Sequence, residues 1–580
     1  MYDQLNKYEK LVFSALSVFL VLFYSVSAVW IPASTELHRG IYVFVTYILV
    51  FMLYKSKHPA FRVLDYTLML LAAGAVVYWI YNYEALNYRA GAETELDQWV
   101  AAVGVILGIE IARRAVGSVF VIIGVVMLAY GVYGEFAPDL IMHPGDTFLG
   151  VCTTIFFKED GVFGIMANVL ATYVLLFVLF GAFLEKSGAQ KFFIDFPLAA
   201  VGHKTGGPAK VAVIASALFG SISGSAIANT VSTGAFTIPL MKKAGFRSHV
   251  AGAIEPAASI GGMFMPPIMG AGGFIMAELT GFPYSYIMLV AIFPAFMYFF
   301  SVFVMVHYEA KMHNINGEKS TTPAWEIFKK EWYYISPLGI ITILMLYGFS
   351  AGFAAVMGIV SCIIVSWFKK DTRIDLKGFV EASVQGTESS LKIGATVGII
   401  GIIISMLTFS GLILTFADIV IELAAGSLVL TIFFIALASL VLGMGVPVTA
   451  AYLITAVVAV PALTHLGVNV IAAHMIVYWL SQDSNISPPV CIAAFAGATI
   501  AKAPMWKTAF TAFKFAKFLY LGPFLFGFVP AFSLQGDVWD IVKVFILIII
   551  GTYAYSYFLS GAWWKPIKKK FFTKTANESV

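Results

Sequence analysis

The feature that most constrains this fold is the repeated occurrence of apolar segments long enough to cross a lipid bilayer. A transmembrane helix needs about 20 apolar residues, and its backbone must satisfy its own hydrogen bonds in lipid. We predict spans near 11–31, 41–54, 64–82, 99–112, 117–134, 165–184, 284–308, 334–350, 352–368, 390–408, 411–424, 428–442, 508–530 and 541–560. Hydrophobic residues make up 60% and charged residues 12% of the chain, against about 45–50% and about 25% in soluble domains. The sequence therefore predicts an all-α polytopic membrane protein with no stretch left for a soluble catalytic domain.

Charge and cysteine content argue against other classes of function. A net charge of +4 provides no basic field for nucleic acid. Three cysteines, Cys152, Cys362 and Cys491, are scattered in apolar segments, so we expect no thiol chemistry and no disulfide framework. The histidines show no metal-binding spacing, and we predict no cofactor. The first apolar run lacks a small-residue cleavage site, so we expect a retained span at 11–31 rather than a signal peptide.

Loop charges predict the orientation of the first spans. Lys55–Arg62 holds three basic residues, whereas Tyr83–Asp97 holds four acids and one arginine. The pattern continues with the basic pair Arg113–Arg114 and the acidic Glu135–Asp139. By the positive-inside rule the N-terminus is cytoplasmic, and the tail Lys565–Lys574, with five lysines, should be cytoplasmic too.

A loop-rich, mixed segment at 136–163 marks a boundary in the chain. We predict an N-terminal helical bundle over residues 1–140, a connector over 141–164, and a larger unit over 165–580.

An internal repeat lies within the larger unit, with copies near 165–310 and 390–530. Proline and glycine recur at the same spacings of 6 and 21 residues in Pro239, Gly245 and Pro266–Pro267 and in Pro461, Gly467 and Pro488–Pro489. A constant offset of 222 residues relates the two sets. Keeping both spacings across a double proline is improbable by chance, so we predict a structural repeat.

The charges around the repeat predict that its two copies are inverted. Lys242, Lys243 and Arg247 follow the first proline, whereas the matching loop Thr464–Val470 has no lysine or arginine. Breaks in a membrane helix free carbonyls and N–H groups, which are tolerated where they line a cavity and can bind ions and anions there. Paired breaks in corresponding halves therefore predict a transport site.

Two interpretations compete for the polar segment Gly220–Thr230. Small residues let transmembrane helices approach closely, which accounts for Gly220 and Gly224. Packing accounts poorly for Asn229 and the serines, because each polar group needs a partner in lipid. Gly220–Gly224 reads Gly-Ser-Ile-Ser-Gly and so lacks the central serine of the G-x-S-x-G hydrolase motif, and the apolar helical setting also lacks its strand–turn–helix context.

The second copy offers an acid in an apolar surrounding. Asp483 and Asn485 precede the second double proline, and an intramembrane acid is a functional candidate, the alternative being a structural hydrogen bond. Gly443–Thr449 is a glycine-broken turn for which packing is again the alternative. Glu255 and Glu278 lie either near the bilayer or at helix ends facing water, and the sequence leaves both positions open.

Four motifs resemble the large membrane subunit of TRAP (tripartite ATP-independent periplasmic) transporters. They are SISGSAIANTVSTGAFTIPLMKKAGF, EPAASIGGMFMPPIMG, LGMGVPVTAAYLI and SQDSNISPPV, and with their flanking helices the resemblance covers roughly 165–530. The preceding helices look like the small membrane subunit, so the chain resembles a small–large fusion of the TAXI branch. Glu255 and the ending at Glu278 also fit that branch.

The resemblance implies an elevator-type transporter, with two re-entrant hairpins and two broken helices in a moving domain. It implies a TAXI-type periplasmic substrate-binding protein as partner, small organic acids such as carboxylates as substrates, and a bacterial or archaeal cytoplasmic membrane as location. Implied sodium ligands are Ser223, Ser225, Asn229, Gly261 and Gly262 at a first site, and Gly443, Gly445, Thr449, Ser484, Asn485 and Ser487 at a second. We expect the substrate to contact Ser225, Asn229, Thr230 and Thr449.

Asp483 departs from the family pattern, in which this position is often small or apolar. A carboxyl at the site can carry a proton, so both sodium and protons remain candidate coupling ions, with Asp483 an ion-binding residue in either case. A membrane-embedded enzyme is the alternative function, but no metal cluster, catalytic dyad or phosphate-binding acidic motif supports it. An ion channel is disfavoured, because its filter would recur once per subunit rather than as a repeat within one chain.

Overall fold

The computed structural model describes residues 2–56, 61–318, 322–444 and 446–564, and not the side chain of Ser223. These residues form helices and turns, apart from one isolated antiparallel bridge between Thr205 and Asn316. The α-helices are α1 Lys7–Val29, α2 Thr35–Leu53, α3 Arg62–Tyr88, α4 Glu95–Ala115, α5 Ser118–Val132, α6 Phe148–Phe157, α7 Ile165–Val169, α8 Leu175–Lys186, α9 Ala189–Val201, α10 Gly207–Ser223, α11 Ala226–Lys243, α12 Ser248–Gly262, α13 Gly270–Thr280, α14 Tyr284–Met312, α15 Ala324–Glu331, α16 Ser336–Leu346, α17 Ala351–Ser366, α18 Leu376–Gly394, α19 Val397–Phe409, α20 Leu412–Leu423, α21 Leu428–Leu442, α22 Val448–His465, α23 Val470–Leu480, α24 Ile492–Ala501, α25 Met505–Phe515, α26 Phe518–Phe528 and α27 Val538–Ser560. The predicted all-α architecture is confirmed.

Nine helical segments in the described part are long and apolar enough to cross a membrane. They include α1, α2 and α3 at the start of the chain and α27 at its end. Other predicted spans form shorter helices: α5 has 15 residues, which at about 1.5 Å per residue is less than the roughly 30 Å of a hydrocarbon core. The chain is therefore a multi-pass membrane protein that contains both full-length and shorter apolar helices.

The chain divides into two compact units. Unit 1 comprises Met1–Ser187, Ala271–Ser285 and Ser336–Val470. Within it α4 packs against α6 and α19, and α8 packs against α17 and α18. A Cβ added to Gly398 of α19 would lie 2.8 Å from the Cα of Gly108 in α4, so these two helices touch through glycine. Small residues permit such close approach of apolar helices.

Unit 2 comprises Gly188–Gly270, Tyr286–Ile335 and Ile471–Val580. Its centre is α12, which packs against α10, α11, α24 and α25 and is buried continuously from Val250 to Gly262. Alanine, glycine, isoleucine and serine dominate this stretch, which lets four neighbours surround one helix. The predicted boundary near residue 140 stays a prediction, because residues on both sides of it belong to unit 1.

Helix boundaries repeat 222 residues apart. The 18-residue helix α11, Ala226–Lys243, corresponds to α22, Val448–His465, and both contain a proline. The starts of α12 and α13 likewise recur as the starts of α23 and α24. Cis peptide bonds occur at Pro266–Pro267 and Pro488–Pro489. These helix boundaries follow the same offset as the prolines and glycines, whereas the structural repeat and its inverted orientation stay predictions.

Candidate functional site

The break between α10 and α11 is built by a glycine and a serine. Gly224 ends α10 in the left-handed region at φ +62°, which favours glycine because a Cβ is strained there. Ser225 is the N-cap of α11, and its hydroxyl accepts a hydrogen bond from the Ala228 N–H at 3.2 Å. This cap satisfies one of the N–H groups that a helix start leaves unpaired. The predicted break is thus an interruption between two helices of unit 2.

Asn229 lies beside a backbone contact between α10 and α12. A Cβ added to Gly262 would lie 2.4 Å from the Cα of Gly220, and one added to Gly220 would lie 2.7 Å from Asn229 Nδ2. Asn229 is fully buried and its Nδ2 donates to the Ser216 carbonyl at 3.2 Å. Its Oδ1 has no hydrogen-bond partner among the described residues. The structure therefore places the predicted residues Asn229 and Gly262 both next to Gly220. The Oδ1 atom of Asn229 remains an acceptor without a partner in the described residues.

Three other residues predicted for this site have different surroundings. Thr230 is buried, and its Oγ1 has no partner in the described part of the chain. A Cβ on Gly261 would lie 2.6 Å from the rings of Tyr298 and Phe299, so packing alone requires this glycine. The side chain of Ser223 lies outside the described residues. Gly261 thus has a structural role whether or not its carbonyl binds an ion.

The turn after α12 is held by a tyrosine from the second broken segment. The Tyr478 hydroxyl of α23 lies 2.7 Å from the Met263 carbonyl and also hydrogen-bonds the Met269 carbonyl. The ring of Trp479 stacks on Phe264 with centroids 4.3 Å apart. The first double-proline turn is therefore fixed by the helix that leads into the second.

The second break places a cluster of polar side chains out of solvent. Asp483, Ser484 and Asn485 form a 3₁₀ turn, and all three are buried. Ser487 is buried as well, and its hydroxyl is hydrogen-bonded to that of Tyr520. Asp483 Oδ1 has no hydrogen-bond partner within the described ranges. The acid at this turn is thus enclosed in unit 2, as its apolar sequence context predicted.

Gly443 and Thr449 belong to unit 1, whereas 483–487 belong to unit 2. Gly443 follows the end of α21, and Thr449 is the second residue of α22 and is buried. Gly445 lies outside the described residues. The second ion site therefore stays a prediction.

Sequence reasoning missed Gln482 and left Glu255 undecided. Gln482 is fully buried, and in the described part of the chain neither Oε1 nor Nε2 has a partner. Its polar character beside Asp483 was the available signal. Glu255 is fully buried in α12 rather than at a water-facing helix end. Glu278 instead accepts a hydrogen bond from Asn168 Nδ2 at 2.9 Å in an exposed setting.

Several known transport proteins are similar to this chain. The chain is 24% identical over 415 residues to the C4-dicarboxylate TRAP transporter large permease protein DctM of Pseudomonas aeruginosa, covering 67% of this chain and 93% of that protein. It is 23% identical over 337 residues to the sialic acid TRAP transporter permease protein SiaT of Haemophilus influenzae, covering 56% and 53% of the two chains. The crystal structure of the Alcanivorax borkumensis YdaH transporter overlaps it with a TM-score of 0.47 at 17% identity, covering 72% of this chain and 98% of that chain.

A family model matches most of the chain. The model for the DctM component of tripartite ATP-independent periplasmic transporters spans residues 99–532. That range contains α5 to α26 and both double-proline turns. The chain therefore belongs to the DctM family of TRAP transporters and is a membrane permease rather than an enzyme.

Proposed function

We propose that the chain imports small organic anions, chiefly carboxylates, as the permease of a binding-protein-dependent secondary transporter driven by a sodium or proton gradient. Two relatives bear names that specify acids, C4-dicarboxylates in one case and sialic acid in the other. The single observation that carries the proposal is the pair of helix interruptions 222 residues apart. Such paired breaks free backbone groups that bind anions and coupling ions at membrane depth.

The first ion site of this proposal is an oxygen-rich region around Asn229. Asn229 Oδ1 and Thr230 Oγ1 are buried oxygens without partners in the described residues. The same segment contains the end of helix α10 at Gly224. Sodium in transporters is coordinated by such unwound carbonyls and neutral oxygens, so these residues fit it. We assign Ser223, Ser225 and the carbonyls of Gly261 and Gly262 to this site by resemblance.

The second site of the proposal rests on the resemblance alone. Its ligands would be Gly443, Gly445 and Thr449 with Ser484, Asn485 and Ser487. Asp483 would take part as a sodium ligand or as a proton carrier. The substrate would contact Ser225, Asn229, Thr230 and Thr449, and the half-helix start at Ser225 favours a negative substrate group.

The partner in this proposal is a TAXI-type periplasmic binding protein that delivers the substrate. Residues 1–140 would act as the fused small subunit. The moving domain would carry the substrate across a bacterial or archaeal cytoplasmic membrane by an elevator motion. Both termini would face the cytoplasm, the N-terminus by the charge pattern of the first loops and the C-terminus by the five lysines of 565–574.

Gradient dissipation tests whether transport is secondary. The full chain is reconstituted in vesicles with the binding protein outside, and labelled C4-dicarboxylates, keto acids and sialic acid are offered. Accumulation should occur under an imposed sodium or pH gradient and stop when both gradients are collapsed by ionophores. Accumulation that survives without either gradient would contradict the proposal.

A further inference from the structure

A carboxyl group outside the predicted ion sites lies inside unit 2. Glu255 is 0% exposed and sits in α12 between alanine, isoleucine and proline neighbours. Gly234 of α11 makes room for it, because a Cβ there would lie 3.1 Å from Glu255 Cγ. Ionisable groups buried in membrane proteins are costly and mark ion or proton pathways. Packing alone therefore does not account for this side chain.

Three hydroxyl groups from two helices surround the carboxyl. Ser216 of α10 donates to Glu255 Oε1 at 2.5 Å. Thr233 and Thr237 of α11 hydrogen-bond Oε1 and Oε2 respectively. Every direct partner is thus a neutral hydroxyl, and we call these three residues the hydroxyl cup.

The helices packed against α12 bring no cation to Glu255. Their charged groups are Lys210 of α10, Lys242 and Lys243 of α11, and Lys507 and Lys514 of α25, and α12 itself adds His249. Lys210 Nζ lies 3.2 Å from His307 Nδ1, and Lys242 Nζ donates to the Ala501 carbonyl at 2.8 Å. α24 carries no charged residue, and Tyr298 of α14 donates to the Ala257 carbonyl. Among the described residues Glu255 forms no ion pair, so no fixed positive charge holds it ionised.

The hydroxyl cup can form hydrogen bonds with the Glu255 carboxyl in both its ionised and its protonated state. Each hydroxyl has one proton to donate. Thr233 Oγ1 also lies 2.7 Å from the Asn229 carbonyl, and Thr237 Oγ1 lies 3.1 Å from the Thr233 carbonyl. When Glu255 is ionised, the hydroxyls donate to it. When it is protonated, the two threonines can turn to these carbonyls while the carboxyl O–H donates to a hydroxyl oxygen.

We propose that Glu255 is a reversible proton-binding site and that Thr233 relays its state to the backbone of Asn229. Protonation forms one O–H bond on a carboxylate oxygen, with the proton taken from water and returned to water on release. Thr233 then changes acceptor between Glu255 and the Asn229 carbonyl, so proton occupancy alters the hydrogen bonding of the first ion site. A part for this proton in driving uptake rests on the proposed function, whereas the proton site itself does not.

Infrared titration of the purified full chain tests the site without substrate or transport. Glutamate is labelled selectively with ¹³C, which separates glutamate from aspartate carboxyl bands and so excludes Asp483. A labelled carboxylic-acid band should remain after the solvent-exposed glutamates, whose ordinary pKa is about 4.3, have ionised, and it should disappear as the pH is raised further. Glu255→Gln should remove this band, whereas the matched change Glu278→Gln should leave it.

Thr233→Val keeps the shape of the side chain and removes one donor to the ionised form. It should move the titration midpoint of the band up by about one pH unit, a tenfold change in proton affinity. This variant also decides the question if Glu255→Gln does not fold. The proposal would be overturned if the wild type lost all of its labelled carboxylic-acid band together with the exposed glutamates, or if the remaining band were unaltered in Thr233→Val. Because no transport is measured, either result is independent of whether the chain moves organic anions.

Discussion

Asn229 is fully buried beside Gly220 of α10. Its side-chain nitrogen Nδ2 donates a hydrogen bond to the Ser216 carbonyl, while its side-chain oxygen Oδ1 is buried without a partner in the described residues. Leaving a buried acceptor unsatisfied costs about 1–3 kcal/mol, which a bound cation would offset. The geometry thus favours a ligand role for the oxygen over a purely structural role.

Asn229→Ala should lower gradient-driven uptake at least about tenfold, equivalent to about 1.4 kcal/mol of lost ion binding. Folding should suffer little, because only one hydrogen bond worth about 1 kcal/mol is lost. Thr449→Ala in the other repeat should have the same effect on uptake. Asn82→Ala is the control, since Asn82 Nδ2 likewise donates to a carbonyl, that of Tyr78. Normal ion dependence in both site variants would mean that these residues serve packing only.

Asp483→Asn should separate the two candidate coupling ions. The amide keeps the shape of the side chain but cannot carry a proton. If protons drive uptake through this residue, the variant loses the component driven by an imposed pH gradient and keeps substrate exchange. If Asp483 is a sodium ligand, the sodium-driven component weakens instead. Uptake in vesicles under each gradient in turn measures this, and wild-type behaviour under both gradients would show that Asp483 is structural.

Part of the site could be predicted from sequence because polar residues in apolar segments stand out. Asn229 and Asp483 were recognised in this way, and both are buried. The contact of the hydroxyl cup with Glu255 could not be predicted, because Ser216, Thr233 and Glu255 come from three different helices. Hydroxyls in apolar helices usually bond their own backbone, so their sequence positions do not reveal a shared partner.

At the scale of elements, the broken helices were the most predictable feature. Proline lacks an N–H and glycine adopts left-handed angles, so double prolines and glycines favour helix ends, although the single prolines Pro239 and Pro461 lie inside α11 and α22. The spacing therefore anticipated the interruptions at the two double prolines, which separate α12 from α13 and α23 from α24. Hydropathy located the apolar segments but not the ends of their helices. The predicted span 334–350, for example, contains an α-helix only over Ser336–Leu346.

The contact between α10 and α12 gives a prediction about stability. Gly262→Ala would place a Cβ 2.4 Å from Gly220 Cα. Backbone atoms cannot move aside cheaply, so the variant should lose about 1–3 kcal/mol and melt at a lower temperature in detergent. Gly551→Ala in α27 is the control, because a Cβ there meets nothing within 4 Å. Equal melting temperatures for the two variants would show that α10 and α12 are not tightly packed.

For the whole molecule, composition alone predicted the membrane class, because only lipid accommodates so apolar a surface. The motifs predicted the family, which the match over 99–532 confirms. The two compact units were not predicted, since each draws on three separate stretches of chain. Tertiary contacts bring these separate stretches together, so a single division of the sequence at residue 140 does not reproduce the two units. The lysine-rich tail 565–574, expected in the cytoplasm, lies outside the described residues.

Binding-protein-dependent uptake is the most direct test of the central claim that this chain is the permease of a binding-protein-dependent transporter. Vesicles containing the full chain are given an inward ion gradient and a labelled organic acid, with or without the cognate periplasmic binding protein outside. We expect accumulation only when the loaded binding protein and the gradient are both present. Equally fast accumulation without the binding protein would contradict the account.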